Sequence, residues 1–299
     1  MAAWKLRVPP RVVNRRFPAA AFDRLRPLGY DAPVLTNVPE LRVTARNTSV
    51  HSANKIHDDE VARRFGFRGG LVPGVTVYAY MTRPLVVALG SGWLERGRAA
   101  VRFVKPIYEG EAVTLRTSPA AGDALEVRAL NPAGEPCALL TAGLAAADER
   151  VVVANYPPRD LPGERPPATR EVLESLDVLG SPELCWDEAA AAATRERFDD
   201  ADLLYRGPAA WLHPAVLLDL GNRALDQNVR LGPWIHTASE VRHLGPARLG
   251  DRLIARGRVA RLYEKKGNEL VELDLLVTAG EARPVARLRH TAIYRLREA

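Results

Sequence analysis

Cysteine is nearly absent from this chain: Cys137 and Cys185 are the only two in 299 residues. Two distant thiols cannot by themselves form a four-ligand zinc site or a disulfide framework, so a reducing cytoplasm is the expected setting. Long apolar runs are missing as well. No stretch of eighteen apolar residues occurs, which excludes a membrane-spanning helix. The opening Met1-Ala2-Ala3-Trp4-Lys5-Leu6-Arg7 lacks the apolar core and small-residue cleavage site of a secretory signal. Lysine is scarce too. Lys5, Lys55, Lys105, Lys265 and Lys266 are the only lysines among 42 basic residues, and the rest are arginine. No phosphate-cradling P-loop, dinucleotide glycine pattern or serine nucleophile elbow occurs.

What is present is the balance of a soluble globular protein, 47% apolar and 26% charged. At about 150 residues per domain, a chain of 299 residues implies two domains, each with room for its own core. The net charge of +6 reads first as solubility in an arginine-rich composition. It reads next as affinity for a small anionic ligand such as a phosphorylated cofactor, and last as nucleic-acid binding. Aromatic and basic residues do not interleave, so neither nucleic acid nor a membrane is an expected partner.

The organising feature is an internal repeat. Residues 101–111, VRFVKPIYEGE, return 140 residues later as VRHLGPARLGD, with Val, Arg, Pro and Gly in register and an acid after each Gly. Upstream, Arg83 and Leu85 match Arg223 and Leu225, and Trp93 matches Trp234 within one residue of the same offset. Downstream, Gly134-Glu135 corresponds to Gly280-Glu281. Three blocks in one order define a duplicated unit. Between the copies Pro157, Pro158, Pro162, Pro166 and Pro167 mark an extended linker. The expected organisation is an N-terminal extension over residues 1–40, a first unit over 41–159 and a second over 160–299.

Each unit reads as helix, then strands. Asn54 caps a predicted helix start, Asp58, Asp59 and Glu60 suit its positive end, and Ile56, Val61 and Phe65 supply its buried stripe. Residues 74–81 alternate in polarity and, taken alone, fit a strand. Their counterpart at 214–225 has proline in a first turn and helical spacing. The repeat therefore predicts a long apolar helix in both copies, with Pro84 kinking or ending the first. Strands follow each helix, turned at Glu109-Gly110, Ala121-Gly122, Ala133-Gly134, Leu249-Gly250, Lys266-Gly267 and Ala279-Gly280. An apolar helix followed by antiparallel strands predicts an α+β unit with the sheet wrapped around the helix.

That order resembles the hotdog fold, and residues 54–74 resemble its MaoC-like, R-specific enoyl-CoA hydratase branch. The family pattern places Asp five residues and Asn three residues before a His, then opens the central helix with a His-Gly pair. Here Asn54 and His57 keep the Asn-to-His spacing, Asp59 follows two residues later, and Ala62 falls on the helix. Gly69-Gly70-Leu71-Val72-Pro73-Gly74 leads into the central helix, and residues 101–111 resemble the family's F-x-x-P-x-x-x-G-D strand. The likeness covers about residues 45–146 and, more weakly, 175–296. It implies a double hotdog: two antiparallel sheets, each wrapped around a long central helix, with the two helices packed near the interface. Two family residues are replaced, the catalytic Asp by Ser52 and the His of His-Gly by Pro73. The second copy has no Asn-x-x-His and carries His213-Pro214 where the first has Pro73-Gly74.

The resemblance implies hydration of an enoyl thioester. His57 becomes the base, since an imidazole titrates near neutral pH. Asn54 orients water or the carbonyl, and the Gly74 amide faces the developing enolate oxygen. A donor so placed contributes roughly 3–4 kcal/mol in comparable oxyanion holes. Ser52 can hydrogen-bond water but cannot take its proton. Asp58 and Asp59 are substitute carboxylates that point elsewhere on the helix. Arg63, Arg64 and Arg68 are candidates for coenzyme A phosphates, beside the reading as a solvated helix face. His213, His236, His243 and His290 read as structural or surface residues, and Tyr78, Tyr80 and Met81 as core. No metal or redox cofactor is implied, and coenzyme A enters only as part of the substrate. The partner is an acyl-thioester small molecule or an acyl carrier protein, and monomer and homodimer both fit. The expected activity is that of a MaoC-type acyl-thioester hydratase or dehydratase with its site in the first copy and a degenerate second copy. The alternatives are a non-catalytic acyl-CoA or acyl-carrier binding or scaffold protein, which Ser52 and Pro73 favour, and a hotdog thioesterase.

Overall fold

The computed structural model describes residues 38–145 and 151–297, so most of the expected N-terminal extension lies outside the described residues. In chain order the elements are β1 (Leu41–Thr44), α1 (Asp59–Arg64), α2 (Gly74–Leu89), α3 (Ser91–Arg96), β2 (Gly97–Phe103), β3 (Ala112–Pro119), β4 (Leu125–Leu130) and β5 (Pro136–Leu144). Then come α4 (Arg170–Glu174), β6 (Glu183–Cys185), α5 (Glu188–Phe198), α6 (Ala215–Asp226), β7 (Ile235–His243), β8 (Arg252–Lys265), β9 (Asn268–Ala279) and β10 (Arg283–Arg295). Among the described residues no helix is long and apolar enough to cross a membrane.

The segment that alternates like a strand is helix α2, as the repeat predicts. Residues 75–82 are buried without a break. A helix enclosed on all sides loses the polar face that would reveal its period. Pro84 does not end it, and α2 continues to Leu89. The proline removes one backbone bond, while buried Leu85, Val86 and Ala88 hold the last turn in the core. Helix α2 packs on β3, β4 and β5, α6 packs on β8, β9 and β10, and the two helices touch.

The two expected sheets are joined into one. Ten strands run in the order β1-β3-β4-β5-β2-β7-β10-β9-β8-β6, and β2 pairs antiparallel with β7 at the centre. Ala100 lies opposite Glu240 in that register, its own counterpart at the repeat offset. The two copies are thus related by an approximate twofold, and each closes the other's open strand edge. The repeat holds at finer grain. An isolated bridge joins Leu71 to Tyr108 and another joins Trp211 to Arg248. The Val72 amide donates to the Ile107 carbonyl at 2.9 Å, and the Leu212 amide to the Ala247 carbonyl at 2.9 Å. All six predicted turn glycines (Gly110, Gly122, Gly134, Gly250, Gly267 and Gly280) have positive φ, between 59° and 93°.

The copies part company ahead of the central helix. Asn54 caps only one tight turn, Lys55–His57, accepting from the Ile56 amide at 3.3 Å. Asp58 then caps α1, accepting from the Val61 amide at 3.0 Å. The predicted single helix is therefore two short pieces. Ala62, not Val61, joins Ile56 in the buried cluster with Leu71, against which Phe65 and Ile235 pack. The linker packs on the second copy's sheet. The Tyr156 hydroxyl donates to the Asp274 carboxylate at 3.1 Å, and Arg287 pairs with the same group at 3.1 Å.

Candidate functional site

A cavity of about 390 Å³ opens between the two halves, a size suited to a small molecule or the end of an acyl chain. Ser52, Asn54, His57 and Gly74 all line it. The structure thus brings together four residues spread over two segments of the first copy. Phe103, Trp234 and His236 line it as well.

His57 is held in one tautomer. Its Nδ1 lies 2.7 Å from the Leu71 carbonyl oxygen, which can only accept, so Nδ1 carries the hydrogen and Nε2 the lone pair. Burial lowers its pKa, the Leu71 bond raises it, and Arg197 lowers it, for a net shift downward. The imidazole is consequently neutral at pH 7, with an accepting nitrogen.

Asn54 also does a job that the sequence does not suggest. Its Oδ1 accepts from the Trp234 amide at 3.2 Å and its Nδ2 donates to the Trp234 carbonyl at 2.9 Å. The side chain clamps the first copy's loop to the chain entering β7. The remaining Nδ2 hydrogen faces His57 Nε2 at 3.5 Å, too far for a strong bond. Ser52 donates its hydroxyl to the Asn54 carbonyl at 3.2 Å.

Gly74 opens α2, and the N-cap Pro73 offers no side-chain cap, which leaves the first amides without the usual partner. The glycine is needed for a reason internal to the protein. A Cβ here would lie 2.9 Å from Phe103 Cε2 and 3.2 Å from His236 Nδ1. The bare Cα admits these two rings.

Asp58 and Asp59 do not reach the cavity. Asp58 caps α1, while Asp59 accepts from the Gly70 amide at 2.7 Å and pairs with Arg63 at 3.2 Å. The cavity carboxylates are Asp219 and Asp226, and Asp219 is held by Arg197 and Arg223, each at 3.2 Å. The proposed phosphate-binding arginines also lie elsewhere. Arg63 is paired with Asp59, Arg64 with Glu60, and Arg68 with Glu111 at 2.5 Å while stacking on Tyr108 at 4.2 Å. None lines the cavity, whose cations are Lys105, Arg197, Arg223 and Lys266. Consecutive positions on α1 face outward, and only its Ala62 side is turned to the core.

Among the histidines read as structural, His213 and His243 are so. His213 accepts from the Ala215 amide at 3.2 Å, lies 3.3 Å from Asp200, and is packed by the rings of Phe198 and Tyr205. His243 lies against Trp93, and burial lowers its pKa to about 4. His236 lines the cavity, which its reading as structural or surface does not suggest, while His290 is fully buried beside it. His236 Nε2 lies 2.8 Å from Ser239 Oγ, that oxygen lies 2.9 Å from His290 Nδ1, and His290 Nε2 lies 3.0 Å from Asn222 Oδ1. Their rings stack at 4.1 Å. No local motif marks this chain of groups. It exists only because β7 pairs with β10 beside α6.

No protein-family model matches the chain, and no curated protein matches it in sequence. Solved structures share its fold. One is described as a MaoC domain protein dehydratase from Chloroflexus aurantiacus J-10-fl, with TM-score 0.60 and 11% identity over 85% of this chain and 93% of that one. A second, a MaoC-like dehydratase, aligns with TM-score 0.56 and 14% identity over 88% of this chain and 100% of that one. A third is a conserved hypothetical protein of Mycobacterium tuberculosis with a double hotdog fold, at TM-score 0.54 and 15% identity over 86% and 94% of the two chains. The shared architecture is the double hotdog.

Proposed function

We propose that the protein binds an acyl thioester in the cavity between its halves and adds water across the double bond of an enoyl chain, or removes it in reverse. The observation that carries this reading is the meeting of the His57 Nε2 lone pair and the uncapped start of α2 at Gly74 on one cavity. In the forward direction the water oxygen bonds to the β-carbon as its proton passes to His57 Nε2. The electron pair of the double bond moves to the thioester oxygen, facing the Gly74 amide. The enolate then collapses, and its α-carbon takes the proton back from the imidazolium. Lys105, Arg197, Arg223 and Lys266 at the cavity suit the phosphates of coenzyme A or of a carrier's phosphopantetheine.

A second reading, binding without turnover, has one observation in its favour: the Ser52 hydroxyl is committed to the Asn54 carbonyl, where the related pattern has a carboxylate. Crotonyl-CoA separates the readings. Loss of enoyl absorbance without thiol release supports hydration. Thiol release means a thioesterase, and tight binding with neither change means a binding protein. His57→Ala is expected to lower kcat/KM by about 10²–10⁴.

A further inference from the structure

His236 belongs to the second copy, yet its free nitrogen faces the first copy's helix start. The Ala238 carbonyl, 3.2 Å from Nε2, can only accept, so Nε2 carries the ring hydrogen and shares it with Ser239 Oγ at 2.8 Å. Ser239 then donates to His290 Nδ1 at 2.9 Å, and His290 Nε2 donates to Asn222 Oδ1 at 3.0 Å. Every link runs one way and leaves a lone pair on His236 Nδ1. That atom is buried without a hydrogen-bond partner among the described residues, in a residue only 7% exposed. It lies 3.2 Å from where a Gly74 Cβ would be, and both residues line the cavity. An unmatched buried acceptor is unfavourable, and of the buried side-chain atoms without a partner among the described residues only this nitrogen and Trp234 Nε1 belong to residues that line the cavity.

We infer that His236 is a further catalytic residue of this cavity: with the Phe103 ring that packs against it turned aside, its Nδ1 accepts the hydroxyl hydrogen of the attacking water, and of the β-hydroxyl it becomes, while the Ala238 carbonyl fixes the tautomer and Ser239, His290 and Asn222 are positioning residues that hold the ring. The inference rests on the acyl-thioester reading above and extends it. It supplies a polar contact for water on the side where Ser52 cannot act. Neutrality of the pair suits the role, because burial lowers both imidazoles, His290 to about 3, and the His290 ring further opposes a charge on His236. His57 takes the proton and His236 takes only a hydrogen bond, so the balance of the reaction is unchanged.

The test is calorimetric binding of butyryl-CoA and 3-hydroxybutyryl-CoA to the full chain, in a His57→Ala background so that neither ligand is turned over. The parent is expected to bind the hydroxy thioester about fivefold more tightly, the value of one hydrogen bond to an otherwise unmatched acceptor. His236→Gln retains a donor for Ser239 but puts no acceptor toward Gly74, and should abolish the preference. His236→Asn keeps an acceptor near the Nδ1 position and should retain part of it. Circular dichroism checks the fold of each variant, and if His236→Gln does not fold, Ser239→Ala, which removes the shorter of the two bonds holding Nε2 and so loosens the ring, must lower the preference instead. Equal affinity of the parent for both ligands, or a preference unchanged in the folded variants, overturns the inference. A preference without hydration of crotonyl-CoA by the unaltered chain sustains the inference and overturns the hydratase reading. Hydration without a preference does the reverse, and binding of neither ligand overturns both.

Discussion

The starts of α2 and α6 occupy equivalent places in the two copies and have opposite fates. At α2, Pro73 provides no side-chain cap and the chain opens onto a cavity. At α6, the His213 imidazole takes the Ala215 amide, Asp200 takes the imidazole, and Phe198 and Tyr205 enclose the ring. Arg83, from the first copy's helix, completes that cluster at 3.7 Å from Asp200. One backbone plan thus produces a polar opening at one end of the twofold and a sealed polar core at the other. The sealed copy is not idle. It sends Trp234 to the Asn54 clamp and His236 to Gly74. Duplication within one chain frees each copy to specialise, because the pairing of β2 with β7 keeps both in place whatever happens at the helix starts.

The comparison can be broken most severely at Gly74. Gly74→Ala forces Phe103 and His236 aside and should lower hydration about a hundredfold, since a shift of about an ångström in a site has that effect. Pro214→Ala, at the equivalent place in the sealed copy, should leave turnover nearly unchanged. Steady-state rates on both variants check this. At the sealed end, His213→Ala leaves Asp200 and the Ala215 amide without their partner in the core. It should destabilise the fold by about 2–4 kcal/mol, read by urea denaturation, with little change in rate per folded molecule.

Acid sharpens the contrast in stability. Burial holds His290 at about 3 and His243 at about 4, below the ordinary 6.5. The unfolded chain therefore binds more protons than the native one between those limits, and stability must fall as pH drops through 6.5 toward 4. The slope is at most about 1.4 kcal/mol per pH unit for each histidine. His243→Phe should flatten it by one proton, as followed by thermal unfolding across that range. The smallest effect belongs to the outer face of α1. Arg64→Ala breaks only an exposed pair with Glu60 and should change stability by about 0.5 kcal/mol or less, without weakening acyl-CoA binding. Arg197→Ala, at the cavity, should weaken that binding.

Much of this architecture is legible in the sequence. The 140-residue offset foretells both central helices, the run of strands after each and the six positive-φ turns, because backbone requirements leave Gly, Pro and apolar spacing behind them. The join of β2 to β7 has no such mark, since strand pairing across copies depends on edges meeting in space. At the site, Asn54, His57 and Gly74 are close in sequence and could be found together. His236, Ser239, His290 and Asn222 lie on three elements and share no spacing. The clamp from Asn54 to Trp234 spans 180 residues, and no local pattern encodes a contact of that range.

The number of binding sites per chain tests the central contrast most directly. Calorimetric titration of the full chain with butyryl-CoA should give one site per chain, and Pro214→Ala should leave that number and the affinity unaltered. Two equivalent sites per chain, or loss of binding on changing Pro214, would contradict the division between an open first copy and a sealed second one.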